Sequence, residues 1–421
     1  MKTVFFTLSF LLNLLSANSQ TSKAITLADC YALAKQNYPL IKQRELILKS
    51  KEYSLNNLSK GYLPQLSING QATYQSDVTS IPISLPGVVV PSLPKDQYKL
   101  YGEINQPLTD LVTIKHQKEL QKINYAVQEE NLEAELYKLQ ERINQLFFGT
   151  LLIDEQVKQN ELLKKDIQTG LTKINAAIKN GIELKSNENK LKAELLKANQ
   201  REIELRSARK AYTDMLGLFM NQSIDENTVF EKPISPVQAS SINRPELKVY
   251  ETRNKSYEVQ KKLINSKNLP KFALFIQGGV GKPSPVNLFS QDLSTYYIGG
   301  LRLNWALSNL YTYKKEKLPI DIDQKIMETQ KETFLFNTNF SLKQQSAEVI
   351  KLQELLKSDS EIIELRSSVK TIANAQLENG IITTNDFIKE VNAEDQARQT
   401  KLLHEIQLLI AQYTYQNTAG N

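Results

Sequence analysis

The side chains most often used for catalysis and metal binding are scarce in this sequence. Its 421 residues include two histidines, His116 and His404, and one cysteine, Cys30. Neither histidine lies at a spacing from a serine, a cysteine or an acid that indicates a catalytic triad. So few His and Cys residues predict no metal site, and a single cysteine excludes an internal disulfide. We therefore predict a protein that is not an enzyme and uses no cofactor.

One glycine-rich run, Gly278-Gly279-Val280-Gly281-Lys282, superficially resembles a phosphate-binding loop. The phosphate-loop pattern requires its first glycine at the position of Ile276, and Pro283 follows the lysine where Ser or Thr is required. The run therefore fails the pattern. We expect its glycines to relieve crowding in a strand or to bend it.

The charged residues indicate solvated helices rather than a nucleic-acid surface. The formal net charge is +6, and basic residues alternate with acids along the chain. This distribution lacks the one-sided basic patch that nucleic-acid binding requires, so we predict no nucleic-acid partner. The mean hydropathy of −0.39 also argues against a bundle of membrane helices.

The N-terminal segment has the order of a secretory signal. Lys2 precedes an apolar run over 4–15, and the small residues of 16–19 follow it. The run is too short for a helix that spans a membrane, and its layout predicts cleavage near Ser19. A buried N-terminal helix is the alternative. Cys30 lies too far beyond the run for lipid attachment, and we expect it to face inward from the first helix of the mature chain.

The chain contains an internal repeat. Similar short motifs recur at two fixed distances: Pro39 with Pro245 and Pro64 with Pro270, both 206 residues apart, and Asn105 with Asn304 and Gly181 with Gly380, both 199 residues apart. The register changes once, between the two strands of a predicted hairpin, where loop length is tolerant of change. We predict a signal peptide over 1–19, a first repeat over 20–217, a linker over 218–244 and a second repeat over 245–421.

Each repeat begins with a helix and continues into a β-hairpin. The hairpins are predicted over about 63–108 and 270–307, and Pro64 and Pro270 mark their entry. In the first strand, apolar residues such as Leu66 and Ile68 alternate with polar ones, the period of a strand with two different faces. Aromatic residues that could lie at a membrane interface are Tyr74, Tyr98, Tyr296, Tyr297 and Trp305.

Strands of about ten residues match the height of an outer-membrane barrel, but single-chain barrels start at eight strands. The strand pattern alone leaves two interpretations. Several chains share one barrel, with polar residues facing a watery lumen and apolar residues facing lipid. Alternatively, the strands form a small soluble sheet with one wet face.

Long helices follow each hairpin. Over 110–178 apolar residues recur at the heptad-like spacing of helices that supercoil against neighbours. A helix of this length extends about 100 Å. Asn180-Gly181 and Asn379-Gly380 are residue pairs that end helices, and return helices are predicted over about 185–216 and 385–415. Each repeat therefore ends in a helical hairpin with a glycine at its tip.

These motifs occur in an order, and with a repeated spacing, that resemble those of the TolC family of outer-membrane efflux and secretion ducts. The resemblance covers nearly the whole mature chain. The matching features are the Asn37-Tyr38-Pro39 ending of the first helix, the Arg244-Pro245-Glu246-Leu247 start of the second repeat, the strand-entry prolines Pro64 and Pro270, and the tips at Gly181 and Gly380.

The resemblance implies an α+β membrane protein in the outer membrane of a Gram-negative bacterium, with its helices in the periplasm. Three chains would share a 12-stranded β-barrel, four strands from each, continuous with a periplasmic α-helical barrel. The linker over 218–244 and the C-terminal end would form a belt around it. The implied function is a passive duct for small molecules or proteins in a tripartite efflux or type I secretion system. The implied partners are outer-membrane lipid, a periplasmic adaptor (membrane fusion) protein and an inner-membrane transporter.

The resemblance also assigns roles near the helical tips. Asn180, Gly181, Asn379 and Gly380 would contact the adaptor. Asp386 lies six residues after Gly380, where the family narrows its periplasmic entrance with acidic residues, and three copies would form a negative ring. Some members carry a second acid three residues later, but this chain has Lys389 there. An alternative is that Asp386 only starts the return helix, where an acid suits the helix dipole.

A second function class fits part of the pattern. A soluble periplasmic coiled-coil adaptor or structural protein could use the same long helices, with its hairpins forming small sheets. The two classes differ in whether the mature protein is found in the membrane fraction or in the soluble periplasmic fraction.

Overall fold

The structure is a computed structural model that describes residues 24–78, 87, 92–181, 183–236, 241–287 and 292–421. The predicted signal peptide over 1–19 lies outside the described residues, as do Ile182 and most of the proline-rich loop of the first hairpin, including Val88 to Val90. The chain forms two compact units. The sheet unit comprises Lys42–Glu133 and Glu246–Phe334, and the hairpin unit comprises Met1–Ile41, Ala134–Pro245 and Leu335–Asn421. Each unit therefore combines segments from both halves of the sequence.

The first half contains five α-helices and two strands among the described residues: α1 (Leu27–Asn37), α2 (Lys42–Ser59), β1 (Gln65–Tyr74), β2 (Asp96–Pro107), α3 (Asp110–Tyr137), α4 (Leu139–Lys179) and α5 (Lys185–Met220). The single helix predicted at the start of the first repeat is interrupted, because the residue before a proline disfavours helical geometry. Tyr38 is extended, with ψ at 131°, and a 3₁₀ turn over Pro39–Ile41 follows. The long helix predicted over 110–178 is interrupted at Lys138, whose ψ of −18° is close to that of a 3₁₀ turn.

The second half has a similar order with three helices instead of five among the described residues: α6 (Pro245–Lys267), β3 (Lys271–Lys282), β4 (Ser294–Asn304), α7 (Asn309–Glu378) and α8 (Thr384–Ala419). Helix α7 is one continuous helix of 70 residues, and Pro319 lies inside it, where it removes one hydrogen bond from the backbone ladder. Strand β4 ends at Asn304, so the second hairpin ends a few residues before the predicted position of about 307. Just beyond its end, the indole of Trp305 donates a hydrogen bond of 3.2 Å to the carbonyl of Asn268.

The sheet unit is organised around one antiparallel sheet in the order β1-β2-β3-β4. Its register is continuous across the middle strands, with Ile68 opposite Gly102, Tyr101 opposite Gly279 and Gln277 opposite Ile298. Because the order is linear, β1 and β4 are its two edges. Their outer backbone N–H and C=O groups have no neighbouring strand within the described chain.

The hairpin unit is organised around α4, which packs against α5 and α8. Phe147 and Phe148 of α4 are fully buried, and the Phe147 ring meets Phe230 edge-on at 5.6 Å between centroids. Gly149 lies inside α4, where a glycine weakens a helix. The structure gives its packing role, since a Cβ at 149 would lie 2.2 Å from the ring of Tyr212 on α5.

The segment between the two halves packs within the hairpin unit. Ile25 donates a backbone hydrogen bond of 2.9 Å to Val229, and Asn243 donates one of 2.6 Å to Ala419 near the C-terminus. Helix α5 continues to Met220 and ends where Asn221 takes a left-handed conformation, with φ at +54°. The non-helical part of the linker therefore starts later than the predicted residue 218.

Among the helices that the structure describes, none combines the length and the apolar character needed to cross a membrane.

Gly279 tests the close approach of β2 and β3. A Cβ at 279 would lie 2.1 Å from the carbonyl oxygen of Leu100 and 2.5 Å from the Cα of Tyr101, and backbone atoms cannot move away cheaply. We expect Gly279→Ala to destabilise the folded protein by about 2 kcal/mol or more, as overpacking does, measured by thermal unfolding of the purified protein.

Gly102→Ala is the matched control in the same sheet. The nearest atom to a Cβ at 102 is the Ser67 carbonyl oxygen at 4.0 Å, so the unfolding midpoint should stay close to that of the wild type. Equal midpoints for Gly279→Ala and Gly102→Ala would contradict the close approach.

Candidate functional site

The two faces of the sheet differ sharply in chemistry, and the apolar face is the more exposed one. Leu66 and Ile68 of β1 are 77% and 83% exposed, and Tyr297 of β4 is 83% exposed. In β2, exposed and half-buried positions alternate from Gln97 to Asn105. The exposed large apolar side chains of this face are Leu66, Ile68, Tyr74, Tyr98, Leu100, Ile104, Leu274, Ile276, Tyr297, Leu301 and Leu303. A face of this size needs an apolar partner, because monomeric soluble proteins rarely expose such a patch to water.

The opposite face carries the polar side chains of the same strands. Strand residues alternate between faces, and the register places Gln65, Ser67, Asn69 and Gln71 of β1 beside the odd-numbered residues of β2. The prediction of one apolar and one polar sheet face is therefore confirmed by the register and the exposure pattern.

A lysine on the polar face lies over two aromatic rings. The Lys99 ammonium is 4.5 Å from the centroid of the Tyr101 ring and 5.8 Å from that of Tyr296. Tyr296 is only 6% exposed. Its prediction as an interface aromatic was wrong, because Tyr297, its neighbour along the strand, occupies the exposed apolar face and alternation turns Tyr296 to the other side.

One step along the polar face, an arginine is fixed by a carboxylate and a ring. The Arg302 guanidinium donates two hydrogen bonds, of 2.8 and 3.1 Å, to the two carboxylate oxygens of Glu103. It also lies 4.4 Å from the centroid of the Phe275 ring. Gln277 donates a further hydrogen bond of 2.5 Å to Glu103. Two-point contact with a carboxylate and ring stacking together fix the plane of the guanidinium.

The strand-entry prolines lie where the sequence predicted them. Pro64 immediately precedes β1 and Pro270 immediately precedes β3. Proline has no N–H to donate and fixes φ near −65°, which suits the position just before a strand starts.

Both helical tips turn at their glycines. Gly181 has φ at +72° and Gly380 has φ at +68°, values that favour glycine over any residue with a Cβ. Asn180 caps α4, and the Asn379 side chain donates a hydrogen bond of 2.8 Å to the carbonyl of Ala375. The adaptor contact assigned to these residues stays a prediction.

Asp386 takes part in a capping box at the start of α8. Its backbone N–H donates to the Thr383 hydroxyl at 3.3 Å. Its carboxylate accepts hydrogen bonds from the Thr383 N–H at 3.2 Å and from the Thr383 hydroxyl at 2.6 Å. Lys389 lies 3.6 Å from the same carboxylate. The Thr383 hydroxyl, its backbone and Lys389 hold the pKa of Asp386 below its usual value, so this side chain is anionic at neutral pH.

The first tip is built differently. Leu184 occupies the N-cap of α5 and makes no side-chain cap. Asn187, the counterpart of Asp386, donates a hydrogen bond of 2.7 Å to the Glu183 carboxylate. Within the described residues, the paired sequence positions thus carry a carboxylate with a complete capping box at one tip and a neutral amide at the other.

An ion cluster joins three helices of the hairpin unit. Lys370 of α7 lies 2.9 Å from Asp166 of α4 and 2.5 Å from Glu394 of α8. Arg398 lies 2.6 Å from Glu394, whose side chain is almost completely buried. The cluster ties α7 to both of its neighbours.

Asp395, beside Glu394, is a buried carboxyl in a mostly neutral setting. It accepts hydrogen bonds from Gln159 of α4 at 3.1 Å and from Gln399 at 2.6 Å. The nearest cation, Arg201, is 3.8 Å away. Burial outweighs these contacts and raises the pKa of Asp395 above its usual value.

The single cysteine is buried, and the two histidines are each paired with a carboxylate. Cys30 is fully buried in α1, as predicted, and burial raises the pKa of its thiol to about 12. His116 lies 3.4 Å from Glu119 on its own helix, and His404 of α8 lies 2.6 Å from Asp359 of α7. Among the described residues, no three His, Cys, Asp or Glu side chains converge in a way that could hold a metal ion.

Sequence reasoning did not identify the cation–aromatic groups of the polar face or the cluster around Lys370. The alternation of β2 could have placed Lys99, Tyr101 and Glu103 on one face. Their partners on β3 and β4 depend on the strand register, which one sequence does not reveal.

Comparison with solved structures shows the same fold in outer-membrane channels. The chain superposes on CusC, a protein studied for transmembrane channel formation, with a TM-score of 0.69 and 13% identity over 92% of this chain and 91% of that one. For the open MtrE outer membrane channel of Neisseria gonorrhoeae the TM-score is 0.66, with 14% identity over 94% and 89%. For the outer membrane protein VceC of Vibrio cholerae it is 0.65, with 12% identity over 94% and 96%.

These likenesses cover nearly the whole of each chain, and at such low identity they establish the fold. They confirm the predicted resemblance to the TolC family at that level. No protein-family model and no curated protein matches the sequence.

Asp395 leads to a prediction about pH. Its folded-state pKa is raised, so ionised Asp395 opposes folding at neutral pH, and this cost disappears once the pH falls below the pKa of the unfolded chain. We expect Asp395→Asn to raise the thermal midpoint at pH 7, since an amide keeps the hydrogen bond from Gln159 without a buried charge. The gain should vanish as the pH approaches 4.

The control is Asp214→Asn, because Asp214 is exposed and pairs with Lys210 of its own helix. Its substitution should change the midpoint little at any pH. A midpoint for Asp395→Asn that is lower than that of the wild type at pH 7 would show that the carboxylate stabilises the hairpin unit instead.

Proposed function

We propose, from the fold shared with TolC-family outer-membrane channels, that this chain is one subunit of an outer-membrane channel. The channel would be a passive duct from the periplasm to the exterior, for small molecules or proteins, in a tripartite efflux or type I secretion system. The single observation that carries the proposal is the sheet, whose exposed face is apolar and whose other face is polar.

The apolar face fits lipid as its partner. Strands of 10 to 12 residues match the span of a transmembrane β-strand. Charged residues on this face, Asp96 and Lys282, lie at the ends of their strands and pair at 2.9 Å. Transmembrane strands tolerate charge near the interfaces far better than at the midplane.

The open edges support a shared barrel. Each unpaired backbone group costs several kcal/mol in lipid, so a sheet that crosses a membrane has to close on itself. Four strands are too few for closure. Pairing β4 of one chain with β1 of the next would close the sheet, and three chains would supply 12 strands.

The long helices are a further argument for a duct, because they could pack against helices of neighbouring chains around a central passage. Within the hairpin unit, several exposed apolar residues of α7 recur at helical spacing, among them Ile350, Ile362, Leu365, Val369 and Ile372. Such a seam suits packing against a neighbouring helix, which a trimer would supply. The tips at Gly181 and Gly380 would meet the periplasmic adaptor, and an inner-membrane transporter would supply the energy.

Fractionation and conductance test the proposal. We expect the mature protein in the outer-membrane fraction, a detergent-solubilised mass of three chains, and discrete conductance steps in planar bilayers. A monomer that remains in the soluble periplasmic fraction without detergent would overturn the proposal in favour of a coiled-coil adaptor or structural protein.

Asp386 tests the predicted entrance ring. If three copies narrow the periplasmic entrance, Asp386→Ala should raise single-channel conductance or weaken block by polyvalent cations, because it removes three negative charges. The measurement is conductance in bilayers with and without a trivalent cation on the periplasmic side.

Thr383→Ala is the matched control. It breaks the same capping box, at a cost of about 1 kcal/mol, but leaves the carboxylate in place. Block should then persist. If both variants lose block equally, the effect comes from the loosened start of α8 and not from the charge.

A further inference from the structure

The polar face of the sheet carries an excess of fixed positive charge at Lys99. The cationic side chains on the polar-face positions of the described strands are Lys99, Lys271 and Arg302. Lys271 pairs with Asp110 at 3.1 Å, and Arg302 pairs with Glu103. No ion pair joins Lys99 to a carboxylate among the described residues, so its charge is the one left over.

Two aromatic rings keep the ammonium group of Lys99 close to the sheet, so the side chain does not extend freely into water. Its ammonium lies over the rings of Tyr101 and Tyr296, and cation–π contacts with two rings restrain a flexible lysine stem. Tyr101 in turn lies opposite Gly279, where the absence of a Cβ allows β2 and β3 to approach.

From these contacts, and resting on the proposed function, we infer that Lys99, Tyr101 and Tyr296 form a selectivity site in the lumen that favours the passage of anions. In a trimer with its polar face turned to the lumen, three restrained ammonium groups would form a ring at one level of the barrel. Rings of Lys or Arg side chains select for anions in pores.

The charges next to this ring do not cancel it. Glu103 lies four residues further along β2 on the same face, but Arg302 binds both of its carboxylate oxygens. Asp96 and Lys282 pair with each other on the opposite, apolar face. Around the level of Lys99, the lumen side therefore keeps one net positive charge from each chain.

The test is the permeability ratio of chloride to potassium, taken from the reversal potential of single channels under a KCl gradient. We expect Lys99→Gln to lower this ratio and Lys99→Glu to lower it further, whereas Lys99→Arg should keep it near the wild-type value. The matched control is Lys282→Gln. Lys282 lies opposite Tyr98, at nearly the same level of the sheet but on the other face, so its neutralisation should leave the ratio unchanged.

A thiol variant makes the test independent of folding differences between variants. Cys30 is fully buried, so Lys99→Cys provides the accessible thiol for modification of channels already inserted in the bilayer. A cationic methanethiosulfonate reagent should raise the chloride preference, and an anionic one should lower it, within the same pore.

The outcomes separate the inference from the proposed function. Absence of any conductance from the wild type would overturn the channel itself. Conducting channels in which Lys99→Glu, Lys99→Cys with either reagent, and the wild type share one permeability ratio would overturn the selectivity site and leave the channel intact. An equal fall in Lys99→Gln and Lys282→Gln would also overturn it, because the effect would then not depend on the face.

Discussion

The constraint on which this structure depends is the satisfaction of backbone hydrogen bonds at the two edges of a four-stranded sheet. A sheet with one face of exposed leucine, isoleucine and tyrosine cannot remain alone in water, because that face and the free edges favour association. It cannot enter lipid with open edges either. The proposed assembly with further copies would resolve both conflicts at once, and a polar lumen would then follow from the same alternation that makes the other face apolar.

The sequence predicted those parts of the fold that depend on local rules. Local conformational preferences predict three of these features. They are the strand alternation, the prolines before β1 and β3, and the glycine tips at 181 and 380. Boundaries that depend on tertiary contacts were predicted less well. Helix α5 continues to Met220 because Asn221 can adopt a left-handed cap, and β4 ends at Asn304 while the indole of Trp305 bonds to Asn268.

The side chains of functional interest divide in the same way. Asp386 could be found from its distance to a tip glycine, but its capping box with Thr383 depends on the geometry of the turn. The position of Tyr296 on the polar face follows from the strand register, which also brings Lys99 and Tyr101 beside it. Likewise, Lys370 meets Asp166 and Glu394 only because three separate helices pack together. Such contacts join residues that are far apart in sequence, so no local sequence pattern predicts them.

The glycine opposite Tyr101 has a consequence for how this sheet can change over evolutionary time. Any larger residue at 279 would strike the backbone of β2 and displace the ring over which Lys99 lies. Because the atoms it would strike are mainly backbone atoms, we expect position 279 to require glycine whatever side chain occupies position 101. A change at 279, on a different strand and in the other half of the chain, would thus disturb the contact between Lys99 and Tyr101 without touching either residue's own identity.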